Sequence, residues 1–418
     1  MQILISAGEA SGEMYGAQLI QALRSHVETG ISAVAAGPGR DSPPQSSPPH
    51  SQFDFFGAGG ERMRAAGCDI VVDAKDLAVV GITEIFSHLP KILGLYQDLI
   101  QAAEDRRPAL AIVIDSPAFN WRVARQMRKR GIPVVYYVCP QFWAWRQGRV
   151  KLLRKYVNKA LVIFPFEEKF YRDRGVDATF VGHPLADLPM PDSSREAYAA
   201  QYSLDPLKPW ITLMPGSRVK EVRMNLFTMV HAARLLGGDY EYLLPIAPTL
   251  TPEFLRKTLD EDKPGDDRAR RQEIKLVRES LPALRLSRAA IVASGTATVE
   301  AALMETPFVM VYRVSPLTYA LGKPRVKVPH YAMVNLIAGK EVVPELVQQK
   351  FTAENVAAEM SKILPDGAAR VTMISGLKSV RGKLKKPEAG CAHDHTPEHA
   401  DSIQPADRAA EIILEVLR

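Results

Sequence analysis

Short apolar runs recur along the chain, and between them the apolar positions spread out to a helical period. Ile3 to Ala7 reads as a buried strand, followed by a glycine-rich turn (Gly8, Gly12, Gly16) and a helix to about Arg24. Further strands are expected at Phe53–Phe56, Ile70–Val72, Leu110–Ile114, Val134–Val138 and Ala160–Phe164, alternating with helices at about 61–66, 118–130, 146–157 and 167–174. After a proline-rich connector at about 183–209 the pattern restarts. Strands at Trp210–Met214, Tyr240–Leu244, Lys275–Val277, Ala290–Ala293 and Phe308–Tyr312 alternate with helices near 221–236, 281–288 and 297–305. Alternation of this kind argues parallel sheets covered by helices on both faces. The expected fold class is therefore α/β, with doubly wound domains over 1–182 and 210–384 and a terminal helix over 406–418.

A length of 418 residues is about two to three times the usual single domain, so two cores sharing a cleft are expected. With 46% hydrophobic and 24% charged residues and a net charge of +6, the composition is that of a globular chain and excludes disorder throughout, collagen and bulk electrostatic packing of nucleic acid. Cys68, Cys139 and Cys391 lie far apart and in no paired spacing, so neither a disulfide framework nor a cysteine metal site is expected. The first residues lack the basic start and longer apolar core of a secretion signal, and no apolar run approaches the roughly 18 residues that span a bilayer, which points to a cytoplasmic chain that meets any membrane from the side. Residues 38–52 and 385–405 are too polar and proline-rich to belong to a core. His393, Asp394, His395 and His399 in the second stretch read as a solvated loop, and no metal is assigned.

Several turns could carry chemistry. The Gly8–Glu13 turn sets small residues at a helix start, where an anion or sugar can approach; Ser11 as an ordinary helix cap, with Glu13 in the first turn, is the competing reading. Asp115 closes an apolar strand at the sheet edge where open α/β proteins bind ligands, while Ser116 and Pro117 suit the helix start behind it. A carboxylate there can take a proton from a hydroxyl. Pro215-Gly216-Ser217-Arg218 and Ser294-Gly295-Thr296-Ala297-Thr298-Val299-Glu300 follow strands of the second half and suit a diphosphate: amides and hydroxyls for the oxygens, Arg218 for charge, Glu300 for ribose hydroxyls. Neither is a Walker A loop and neither carries an Asp-x-Asp pair, so a nucleotide-diphosphate site without metal is the inference. Cys139 to Arg149 combines Trp143 and Trp145 with Arg146 and Arg149, and Lys151, Arg154 and Lys155 extend its basic face; nucleic acid, a headgroup, a phosphorylated substrate and plain core covering all remain open on these residues. Ile85, Phe86, Leu89, Ile92 and Leu93 form one helical stripe that serves either a core or a lipid interface.

Taken together, these motifs resemble the lipid A disaccharide synthase family, inverting glycosyltransferases of the two-Rossmann-domain (GT-B) architecture, over nearly the whole chain. The matching segments are Ala7–Gly12, Gly81–Glu84, Ile114–Asn120, Trp143–Arg146, Gly182–Asp187, Pro215–Arg218, Ser294–Glu300 and Asn335–Gly339. Glu13 stands where family members usually carry Asp. The resemblance implies transfer of 2,3-diacylglucosamine from UDP-2,3-diacylglucosamine to 2,3-diacylglucosamine 1-phosphate, giving a β-1,6 disaccharide and UDP. It further implies Asp115 as general base and Arg218 as stabiliser of the leaving group. UDP contacts would come from Gly216, Ser217, Arg218, Glu221, Ser294, Gly295, Thr296, Ala297, Glu300 and Asn335, and acceptor contacts from Glu9, Ser11, Glu84, Asn120, Trp143 and Arg146. No cofactor and no nucleic acid are implied, the apolar stripe becomes a contact with the inner face of the inner membrane, and a homodimer is expected. The rival readings are another GT-B enzyme of UDP-N-acetylglucosamine, either an epimerase or a soluble-acceptor transferase, and a non-enzymatic membrane or RNA-binding protein that would leave Asp115 without a role.

Overall fold

A computed structural model describes residues 1–8, 10–35, 53–77, 84–186, 190–261, 273–326, 328–385 and 404–418. Glu9, the 38–52 stretch, residues 79–83 and the histidine-bearing part of 385–405, with Cys391, lie outside the described residues. So do the side chains of Glu84, Ile85, Phe86 and Leu89. The chain divides into two compact units, Met1–Asp187 with Lys386–Arg418, and Leu188–Lys385.

Among the described residues, unit 1 holds seven strands: β1 (Gln2–Ala7), β2 (Asp54–Gly59), β3 (Cys68–Asp73), β4 (Leu110–Ile114), β5 (Val134–Tyr137), β6 (Lys159–Val162) and β7 (Ala178–Phe180). Their order is β3-β2-β1-β4-β5-β6-β7, and every pairing is parallel. Unit 2 holds β8 (Trp210–Met214), β9 (Glu241–Pro245), β10 (Ile274–Val277), β11 (Ala289–Ala293), β12 (Phe308–Tyr312) and β13 (Glu345–Val347) in the order β10-β9-β8-β11-β12-β13, again all parallel. Leu110 to Ile114 and Ala289 to Val292 are wholly buried, as strands covered on both faces by helices require.

Open α/β sheets carry their ligand crevices at a definite point of the topology. In each unit the winding reverses between two neighbouring strands, β1 and β4 in unit 1, β8 and β11 in unit 2, and the crevice beyond their carboxyl ends is the binding position of open α/β sheets. The Gly8–Glu13, Asp115–Pro117, Pro215–Arg218 and Ser294–Thr298 turns follow these four strands.

Elsewhere the structure departs from the expected pattern. The first helix runs Ala10–Ala35, well beyond Arg24. The 183–209 connector contains a helix, Arg195–Tyr202, capped by Ser194 Oγ on the Ala197 amide at 3.1 Å. Its Tyr198 and Ala199 join Trp210, Leu243, Val277 and Ala283 in the core of unit 2, and Arg195 lies 3.8 Å over the Trp210 ring. The segment expected as one helix at 146–157 is a 3-10 turn, Gln147–Arg149, followed by a helix at Val150–Tyr156. At the other end of the chain, Pro405–Leu417 packs along the Ala10–Ala35 helix, with Ala409, Ala410 and Ile413 fully buried and Asp407 3.7 Å from His26. No helix among the described residues is long and apolar enough to cross a membrane.

Candidate functional site

In unit 1 the β4 strand ends in an unusual turn. Asp115 and Ser116 both take left-handed backbone angles, φ 47° and 44°, which L residues with side chains rarely adopt. Two donors meet at the Asp115 carbonyl: the Tyr136 hydroxyl at 2.7 Å and Asn120 Nδ2 at 3.0 Å. Asn120 Nδ2 also donates to Ile114 O (2.8 Å) and Ser6 O (3.1 Å), while its Oδ1 accepts from Ser6 Oγ at 2.7 Å. Ser116 sits against bare glycine: a Cβ on Gly8 would lie 2.3 Å from Ser116 Oγ. Ser116 stands at the N-cap of the Pro117–Lys129 helix, but its left-handed backbone leaves its side chain making no cap bond; its carbonyl accepts the Phe119 and Asn120 amides instead.

The glycine turn behaves differently from the capping expectation. Ser11 lies inside the first helix, half-buried. Glu13 Oε1 accepts the Arg62 amide at 2.7 Å, so it serves the start of the neighbouring Glu61–Ala65 helix rather than its own. Gly60 is bare at that approach, since a Cβ there would meet the Glu13 carboxyl at 2.6 Å.

In the tryptophan segment, Trp143 is buried, donates Nε1–H to Glu167 Oε1 at 2.8 Å and meets Phe166 edge-on at 4.9 Å. Glu167 Oε2 accepts the Phe164 and Ile163 amides at 3.0 and 3.2 Å. Burial pushes the Glu167 carboxyl up to about 7, against the opposing pull of these hydrogen bonds. Anchored in this way, the loop presents Trp145, 45% exposed, with the Arg146 guanidinium 4.1 Å over its ring. Lys151, Arg154 and Lys155 are exposed on the following helix. His183 is buried beside Phe164 at 5.3 Å, its Nδ1 accepts the Leu185 amide at 3.2 Å, and burial lowers its pKa to about 3.

In unit 2 the Pro215–Arg218 turn is held from within. Asn225 Nδ2 donates to Pro215 O at 2.8 Å, Thr249 Oγ1 donates to Ser217 O, and Glu221 Oε2 accepts the Ser217 and Arg218 amides at 3.1 and 3.4 Å. Gly216, at φ 120°, leaves the space this carboxylate fills, for a Cβ would sit 2.5 Å from Glu221 Oε2. Arg218 pairs with Glu221 Oε1 at 3.4 Å and remains 67% exposed. The second turn is open: Gly295 and Thr296 are exposed where the Thr296–Leu303 helix begins. Ser294 Oγ donates to Tyr331 O at 2.9 Å. One turn on, Glu300 Oε2 accepts from Ser280 Oγ at 2.8 Å, and burial raises its carboxyl.

Four expectations change here. Asn120, Asn335 and Trp143 are expected from the family resemblance as ligand contacts, yet all three are buried with their polar atoms turned to the protein. Asn335 donates to Val343 O and Glu345 Oε1 at 2.9 and 2.8 Å and accepts the Val342 and Val343 amides at 2.7 and 3.0 Å. Glu221, expected as a UDP contact, neutralises the amides of its own turn. Sequence reasoning also misses Tyr136, Ser280 and Glu345, the last of which accepts the Tyr331 and Ala332 amides at 2.9 and 3.0 Å. Tyr136 is hidden in an apolar strand run, and Glu345 follows the turn of chain it secures by no recognisable spacing. Ile92 is half-buried and Leu93 49% exposed, so the described end of the apolar stripe is partly on the surface. Among the described residues no three metal-ligating side chains cluster.

A family model described as lipid-A-disaccharide synthetase matches residues 3–391. A lipid-A-disaccharide synthase from Koribacter versatilis is 48% identical over 416 residues, covering 100% of this chain and 98% of the relative. One from Acidobacterium capsulatum is 47% identical over 393 residues, covering 92% of each. Among solved structures, the calicheamicin glycosyltransferase CalG4 shares the fold with a TM-score of 0.55 at 14% identity, covering 100% of this chain and 98% of that one.

Proposed function

The chain belongs to the lipid-A-disaccharide synthetase family and is a glycosyltransferase of lipid A biosynthesis; from that premise we propose that Asp115 is its general base. The donor is UDP-2,3-diacylglucosamine and the acceptor 2,3-diacylglucosamine 1-phosphate. As the acceptor 6-hydroxyl oxygen bonds to the anomeric carbon, its proton passes to the Asp115 carboxylate. The bond from that carbon to the UDP oxygen breaks, its electron pair leaves with UDP, and configuration inverts from α to β. Arg218 and the amides of Thr296 and Ala297, at the positive end of a helix, receive the charge that grows on the diphosphate. Glu300, one oxygen already held by Ser280, takes the ribose hydroxyls.

One observation carries the reading: the turn bearing Asp115 lies at the β1/β4 winding reversal and is held in a rare conformation by buried donors, an outlay of strain that a passive turn would not need. Arg146 stacked on exposed Trp145 supplies a positive, aromatic surface suited to a sugar phosphate. Exposed Leu93 and the basic face at Lys151, Arg154 and Lys155 support peripheral contact with the inner face of the inner membrane, tested by flotation with anionic vesicles. The homodimer is tested by sedimentation.

Mass analysis of the product from the two acylated sugars tests the activity itself. Asp115→Asn should cut turnover by about 10²- to 10⁴-fold while UDP still binds. Undiminished turnover in that variant would remove Asp115 from the chemistry.

A further inference from the structure

We propose that Tyr136 and Asn120 are positioning residues for the transfer: from beneath the sheet edge they grip the Asp115 backbone carbonyl and so hold its carboxylate at the reacting hydroxyl. The inference rests on Asp115 acting as base and deepens that assignment.

Tyr136 and Asn120 converge on this carbonyl, Asn120 while also donating to Ile114 O and Ser6 O. A peptide in the left-handed region directs its C=O away from the direction a strand would give it, and here two consecutive residues adopt that region, at φ 47° and 44°. Left alone, the turn would relax toward ordinary backbone and swing the Asp115 side chain with it. Both lone pairs of the carbonyl are instead met by buried donors, Tyr136 Oη at 2.7 Å and Asn120 Nδ2 at 3.0 Å. The two come from separate elements, β5 and the Pro117–Lys129 helix. Tyr136 and Asn120 are both 0% exposed, and Asn120 is further fixed by Ser6 and Ile114. Tyr136 remains a donor throughout the working range, because burial, and next the nearby Asp115 charge, push its phenol well above the usual tyrosine value. From the other side, Ser116 rests on the bare Cα of Gly8, so the turn is bounded there too. Buried donors in a site of low dielectric, fully satisfied, are what hold a strained backbone against relaxation.

Tyr136→Phe removes one donor and no volume. A displacement of about 1 Å at a reacting group typically costs about a hundredfold in rate, so the variant should lose about 10- to 100-fold in kcat with KM for both sugars and the thermal midpoint little changed. Coupling supplies the reading that a purely structural role would not give: placed on Asp115→Asn, the same substitution should change the residual rate less than about twofold, since the group being positioned is already gone.

A second pair of variants approaches the turn from the opposite side. Gly8→Ala drives a methyl into Ser116 and should lower kcat, and Ser116→Gly in the same chain, which removes the obstructing side chain and tolerates the left-handed angle, should restore it. Wild-type kcat in Tyr136→Phe, an equal loss in both backgrounds, or no rescue of Gly8→Ala by Ser116→Gly would each overturn the proposal. Full turnover in Asp115→Asn would overturn the base assignment and the grip together, whereas an inactive Asp115→Asn beside a fully active Tyr136→Phe overturns the grip alone.

Discussion

Arg218 and Glu221 put opposite charges on a single turn of unit 2, and their duties differ. At 3.4 Å, with the guanidinium two-thirds exposed, the pair contributes at most about 1 kcal/mol to folding, because solvent screens both partners. The Glu221 carboxylate is worth more as an acceptor for two turn amides than as an ion-pair partner. The role proposed for Arg218 lies instead where negative charge develops during reaction. Arg218→Ala should cost about 2.7–4 kcal/mol in turnover, a loss of about a hundred- to a thousandfold, while the thermal midpoint moves little; parallel assays of kcat and melting check both halves. At this scale position is what the sequence makes legible: Asp115 follows a strand end, and Arg218 and Thr296 stand at helix starts, as expected. Asn120, Asn335, Trp143 and Glu221 belong to the same short motifs, yet a motif does not say where a side chain makes its hydrogen bonds. Asn335 makes four bonds within the protein, and the partners, Val342 to Glu345, follow it by a turn that no periodicity foretells.

The element that carries Trp143 is pinned by the loop that starts the Pro165–Arg172 helix, and two buried titratable groups lie in that neighbourhood with opposite habits. Glu167, raised from 4.5 to about 7, keeps its proton in the folded state over a range where the unfolded chain has lost it, so stability falls as pH rises between those values. His183, lowered from 6.5 to about 3, stays neutral where the unfolded chain would be protonated, so stability rises with pH over that range. Between about 4.5 and 6.5 the two slopes, each about 1.4 kcal/mol per pH unit at most, offset one another. Glu167→Gln should unmask the histidine slope: its unfolding free energy should climb with pH across that window by up to about 1.4 kcal/mol per pH unit relative to wild type, as urea titrations at several pH values would measure. Strands such as Leu110–Ile114, Trp210–Met214 and Phe308–Tyr312 are legible to the residue, since a strand buried on both faces is a continuous apolar run with a turn at each end. β7 and β13 are not, being three residues long at sheet edges, too short to show a period. The Arg195–Tyr202 helix hides behind the prolines that flank it, although its Tyr198 belongs to the unit 2 core.

For the whole molecule the path of the chain sets a further expectation. Unit 1 is built from two separated pieces, and the second contributes the Pro405–Leu417 helix that lies along Ala10–Ala35. Most of its buried face is alanine, so Ile413, fully buried, is the side chain through which the helix gains most of its hold. The glycine turn after β1 and the Asp115 turn belong to the same unit, whereas the turns proposed to meet UDP belong to the other. Calorimetry should separate the two. Ile413→Ala should destabilise unit 1 by about 2–5 kcal/mol, the usual range for a large-to-small change in a core. UDP, if it is held by unit 2 as proposed, should raise the other transition, by about 2.7 kcal/mol at a hundred times its dissociation constant. The substitution and the nucleotide should thus act on different transitions and add. A shift of the same transition by both would mean that the C-terminal helix and the nucleotide stabilise one cooperative body, and the proposed assignment of acceptor to unit 1 and donor to unit 2 would then have to be redrawn.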